Sequence, residues 1–144
     1  MKEQLLDLLK QVGVTLADHK LLVKHRGMPH EVPFKGDKLY VYTFKFDGQY
    51  LKIGKAGKKS KARLQHQHYS PTSSASNLAL SLLQDENMKK YNITNENVGA
   101  WIRNNVERVD IEIDEDAGVF VQNFIEAALH CMFKPKYEGF ESQR

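Results

Sequence analysis

Residues 38–53, KLYVYTFKFDGQYLKI, decide the fold. Tyr, Val, Phe and Thr fill this stretch, and such side chains suit a pleated, half-buried surface. Asp47-Gly48 sits between the two runs and supplies the two-residue turn that favours a hairpin. Beyond the hairpin, residues 54–60 form a Gly- and Lys-rich loop, and residues 61–68 begin a helix that must stop before Pro71. The polar run 70–76 leads to Ser76 or Asn77, either of which can cap a helix over 78–88. Thr94 or Asn95 caps another that runs to Asn105. In 106–113, Val106, Val109, Ile111 and Ile113 are set among charged residues, which predicts a half-buried strand with a solvated outer face. Residues 117–133 read as a long helix with Phe120, Val121, Phe124, Ala128 and Cys131 on its apolar side. Upstream, Leu5, Leu6, Leu8 and Leu9 give a helix over 2–12 ended by Gly13. The stretch to Asp37 reads as irregular, with a short helix near 18–24. The sum is an α+β domain with a small, mostly antiparallel sheet and flanking helices.

The 144 residues amount to one domain, 41% hydrophobic and 27% charged, as expected of a soluble globule. No apolar run reaches the length of a membrane span, and the N-terminus has no secretory pattern. Cys131 is the only cysteine, so no internal disulfide forms and the cytoplasm is the expected compartment. The net charge of +3 conceals an uneven distribution. From Gly48 to Gln84 there is no acid, and Lys52, Lys55, Lys58, Lys59, Lys61 and Arg63 give +6; residues 85–116 hold nine acids against four bases. A basic segment of that density attracts polyanions.

Several residues in this frame carry chemistry. Tyr40 and Tyr42 share a face of the first hairpin strand, Lys52 lies on the second, and Gly54 follows where a backbone or phosphate can approach closely. Arg63 offers a planar guanidinium suited to phosphate. On the last helix, steps of about 100° collect Gln122, Asn123, Glu126 and His130 on one face, and Glu126 is a candidate ligand for a hard divalent ion. Taken singly, each has a plain structural reading: tyrosines build strands, and lysines, arginines and glutamates cover surfaces.

Taken in order, YVY at 40–42, KIG at 52–54, KARLQHQHY at 61–69 and FIEAAL at 124–129 resemble the GIY-YIG nuclease superfamily. The KIG form is similar to that of small restriction endonucleases and phage-type members. The resemblance implies one domain over 1–144, with 1–37 as an N-terminal extension and 38–139 as a GIY-YIG-like catalytic core. It implies a metal-dependent DNA endonuclease that uses Mg²⁺ or Mn²⁺ on double-stranded DNA, without membrane association. Double-strand breaks would then need a homodimer or two visits.

By the same resemblance, Tyr42 is the general base or proton relay, and Lys52 replaces the YIG tyrosine. Tyr40 and Gly54 belong to the motif. Arg63 stabilises the scissile phosphate, and Glu126 binds the metal. The family's histidine four residues after the arginine is here Gln67, with His66 and His68 on either side as candidates. Glu138 stands where an asparagine is usual. Lys55, Lys58, Lys59 and Lys61 are expected to hold the nucleic-acid backbone. An ammonium group near Tyr42 would favour its phenolate, and Lys52 is expected to face it across the hairpin.

Other chemistries find less support. Asp110-Ile111-Glu112-Ile113 lacks the lysine of the other common nuclease core. The histidines and Cys131 show no zinc spacing, and there is no phosphate-binding glycine loop. A nuclease-like module that binds nucleic acid without cutting it is the competing reading.

Overall fold

The computed structural model describes residues 1–74 and 77–138. Strands β2 (Lys38–Phe46) and β3 (Gln49–Ala56) form the hairpin, following β1 (Leu21–His25), and β4 (Glu107–Asp114) completes a four-stranded antiparallel sheet in the order β1-β4-β2-β3. Asp47 and Gly48 both take positive φ, 49° and 78°, the conformation that suits the twist of a tight hairpin. The ladder shifts between Phe44↔Lys52 and Lys45↔Tyr50. Leu51 is therefore the extra residue of a bulge.

Helices α1 (Lys2–Gln11), α2 (Lys61–Gln65), α3 (Leu78–Gln84), α4 (Val98–Asn105) and α5 (Val119–Phe133) flank this sheet. Among the described residues, no helix is long and apolar enough to cross a membrane. Tyr40, Tyr42 and Phe44 point to one face, where they meet Leu64, Leu78, Leu82 and Ile102. Leu39, Val41, Ile53, Ile111 and Ile113 point to the other, against Leu5 and Leu9 of α1 and Val121, Ile125 and Leu129 of α5. Asn77 caps α3 by accepting from the Leu80 N–H at 2.8 Å; Ser76, the alternative cap, lies outside the described residues.

The structure corrects several sequence expectations. The helix expected over 78–88 ends at Gln84 and gives way to a 3₁₀ element, Glu86–Tyr91, and the strand expected to end at Ile53 runs on to Ala56. The short helix near 18–24 is only a turn of 3₁₀ helix, Asp18–Lys20, followed by β1. Here Leu21 and Val23 are drawn to Ile113 and Ile111 of β4, a partner that no local pattern could reveal. β4 itself has no solvated face. Two neighbours make it an inner strand, and Arg108, Asp110 and Glu112 are all buried. On α5 the apolar stripe is rotated from expectation: Phe120 is 89% exposed and Cys131 exposed, while Val121, Gln122, Ile125 and Leu129 are buried.

Gln122 falls on the buried side of α5 with Val121, Ile125 and Leu129. Its Nε2 donates to the carbonyls of both Tyr40 and Ala56, each at 3.0 Å, where the β2–β3 ladder ends. Gln122→Ala is expected to lower stability by about 1–3 kcal/mol, the cost of leaving buried polar groups unpaired, as a reduced urea midpoint.

Candidate active site

A cleft of about 330 Å³ lies between the hairpin, α2 and α5, lined by Tyr42, Lys52, Gly54, Lys55, Arg63, Gln67, His68, Glu126, His130 and Glu138. Each element delivers its residue for a local reason. Tyr42 is opposite Gly54 in the ladder, and a Cβ at Gly54 would fall 2.5 Å from the Tyr42 Oη. The phenol can lie across β3 only because position 54 has no side chain.

α2 ends at Gln65, and a 3₁₀ turn, Gln67–Tyr69, follows. The break in the expected 61–68 helix chooses between the flanking histidines. His66 is exposed and does not line the cleft, whereas His68 is buried and within 2.6 Å of the Tyr42 Oη through Nε2. The His68 Nδ1 accepts the Leu78 N–H at 3.2 Å. Because a backbone N–H can only donate, the neutral His68 carries its proton on Nε2 and donates it to Tyr42. The Tyr42 oxygen is thus an acceptor, with its own proton uncommitted to His68. That arrangement supports negative charge on the phenol oxygen; it does not make His68 a base toward Tyr42.

Burial holds the Tyr42 phenol above its ordinary range, with the guanidiniums of Arg108 and Arg63 acting in the opposite direction. Arg108 was not a sequence candidate. It lies wholly buried on β4, 5.0 Å from the Tyr42 ring centroid, and is bonded to Asp110 at 2.9 Å and the Tyr69 Oη at 2.8 Å.

Lys52 does not face Tyr42. Its cross-strand partner is Phe44, two residues along the ladder and on the same face, and its ammonium pairs with Glu138 at 3.2 Å. Glu138 arrives because the chain after α5 runs beside β3, with Lys136 and Tyr137 N–H groups donating to the Tyr50 and Leu51 carbonyls. Gly139, the expected end of the core, lies outside the described residues.

Arg63 is exposed, with a 3.4 Å bond from Nε to the Gln67 Oε1. Lys55 donates to the Asn123 Oδ1. Tyr40 is buried away from the cleft, its Oη accepting the Lys35 N–H at 2.8 Å. Lys58 and Lys59 line a different hollow, with Glu115, Asp116 and Val119, and Lys58 pairs with Glu115 at 3.5 Å. Lys61 is exposed at the start of α2, outside the cleft. Of the four loop lysines, the cleft therefore gathers only Lys55.

Compared with known proteins, the chain matches no family model, no curated protein and no solved structure.

The Glu126 carboxylate is half-buried and makes no hydrogen bond or ion pair with the described residues. Burial holds its pKa up, Lys55 and His130 draw it down, and Glu138 opposes them. A divalent cation would offset that burial cost. Among the described residues, no three His, Cys, Asp or Glu side chains form a metal-holding group. A lone carboxylate would leave most positions of a bound ion to water and substrate oxygens, a habit that suits Mg²⁺.

The buried histidines make stability depend on pH. Burial, then the Lys52, Arg108 and Arg63 cations, push His68 down to about 3; burial, then Arg108 and Arg103, push His30 down to about 4. In the unfolded chain both titrate near 6.5. As pH falls below that value the unfolded chain takes up protons that the fold refuses, so stability declines from about pH 6.5 toward the folded pKa values. Each histidine contributes a slope of about 1.4 kcal/mol per pH unit within its window. Urea melts between those limits check this: His68→Gln is expected to flatten the slope by about one histidine's share.

Proposed function

We propose that this protein is a metal-dependent DNA endonuclease of the GIY-YIG type, hydrolysing phosphodiester bonds in double-stranded DNA in the cytoplasm. The observation that carries the reading is the meeting of Tyr42, Arg63 and Glu126, from the hairpin, α2 and α5, around one cleft. Phosphodiester hydrolysis needs an activated water, neutralised phosphoryl oxygens and a stabilised leaving oxygen.

Tyr42 is the base or proton relay, and His68 steadies charge on its oxygen through the Nε2–H bond. Buried Arg108, behind the ring, favours the same charged form. Arg63, exposed and held only by a long bond, grips the scissile phosphate. Lys55 holds the neighbouring backbone, while Lys52, tied to Glu138, sets the potential of the cleft wall. Glu126 holds Mg²⁺ or Mn²⁺, which supplies Lewis-acid charge on the phosphoryl group when bound. Double-strand cleavage would require a homodimer or two successive encounters.

Burial of Tyr42, which disfavours the phenolate, supports a second reading: a module that binds DNA without cutting it. Nicking of supercoiled plasmid with Mg²⁺ or Mn²⁺ separates the two. Cleavage by the native chain but not by Glu126→Ala is the expected result. Salt-sensitive binding with no cleavage in any metal would favour the module, and no binding would sink both readings.

A further inference from the structure

Four residues beyond Glu126 on α5, one turn along the same face, His130 also lines the cleft. Its Nδ1 lies 2.8 Å from the Glu126 backbone carbonyl. A carbonyl oxygen can only accept, so Nδ1 carries the proton and the lone pair of the neutral ring sits on Nε2. Among the described residues, nothing hydrogen-bonds that nitrogen. Histidines that bind metals characteristically donate their other ring N–H to a carboxylate or backbone carbonyl, which fixes tautomer and ring orientation. His130 has that arrangement beside a half-buried, unpaired carboxylate.

We infer that the His130 Nε2 is a second protein ligand of the divalent ion held by Glu126, giving the site one oxygen and one nitrogen donor. The inference rests on the metal-site reading of Glu126 above. Its consequence is selectivity. An imidazole donor favours Mn²⁺, Co²⁺ and Ni²⁺ in rising order of affinity, whereas Mg²⁺ prefers oxygen ligands and its own water. The transition ions should therefore bind the protein without DNA, and Mg²⁺ should displace them poorly.

The test is Mn²⁺ binding to the full chain without nucleic acid, followed by the electron spin resonance of the free ion. Loss of even an outer partner of a metal ligand costs about 10–100-fold in affinity, so His130→Ala is expected to raise the Mn²⁺ Kd at least about tenfold. Glu126→Ala should weaken it as well. If Glu126→Ala weakens binding and His130→Ala does not, the histidine ligand is refuted while the metal reading of Glu126 survives. If neither changes binding, or the native chain binds no Mn²⁺, both fail.

A second measurement needs no variant. Adding Cd²⁺ to protein with ¹⁵N-labelled histidine should shift the His130 Nε2 resonance and leave Nδ1 protonated. A ring unaffected by saturating Cd²⁺ would overturn the inference.

Discussion

Arg63→Ala is expected to slow plasmid nicking by about 10²–10³-fold, the loss that follows removal of one preorganised group from developing charge. The same variant should unfold at the native urea midpoint. Its guanidinium is exposed and its bond to Gln67 is long, at 3.4 Å, so the fold gains little from it. This separation of rate from stability makes Arg63 a cleaner probe than Tyr42, which is buried and bonded to His68. Arg63→Lys should recover only part of the rate, because an ammonium cannot reproduce the bidentate grip of a planar guanidinium. Unchanged nicking by Arg63→Ala would remove the residue from the proposed mechanism.

Asp110→Ala is expected to have the opposite profile, a stability loss of about 3–5 kcal/mol, as when one partner of a buried ion pair is removed. Asp110 lies fully buried between two guanidiniums, with Arg26 at 2.6 Å and Arg108 at 2.9 Å. Glu112 beside it holds Arg26 and Lys35, both at 3.1 Å. Removing Asp110 leaves Arg108 buried without its carboxylate. The paired change Arg108→Met with Asp110→Leu should therefore recover much of the loss, since apolar replacements of matching volume often equal a buried pair. Urea denaturation of the three proteins gives the comparison. A single-variant loss below about 1 kcal/mol would mean that the network is hydrated and weakly coupled.

The two profiles belong to one face of the sheet, on which Tyr42 and Asp110 stand opposite each other in the ladder. At the cleft, Arg63 is exposed and lightly held, whereas Tyr42, Lys52 and His68 are buried. Residues beneath it, such as Arg108 and Asp110, fix Tyr42 from behind through packing and charge, and their loss is felt first as instability. Arg108 thus contributes to the site from the buried side of the Tyr42 ring, without lining the cleft.

Local chemistry was enough to read much of the molecule from its residues. A two-residue turn with positive φ, alternating apolar side chains and capped helical spacing all act within a few neighbours, so the hairpin, Asn77's cap, the long last helix and the α+β class were legible. Tyr42, Lys52, Gly54, Arg63 and Glu126 were likewise singled out by type and order. Long-range pairing decided the rest. β1 exists because β4 offers Ile111 and Ile113, and β4's charged residues are buried because Arg26, Lys35 and Tyr69 meet them on one face of the sheet. α5 is oriented by the packing of Val121, Ile125 and Leu129 on the sheet, where Gln122 also reaches two strand carbonyls. The selection of His68 over His66 came from the break after Gln65, and Lys52's pairing with Glu138 from the return of the chain along β3. Sequence determines what each short stretch prefers to be, since those preferences are energies between near neighbours. Only the tertiary structure decides which faces are buried and which charges meet, because those energies depend on partners remote in the chain.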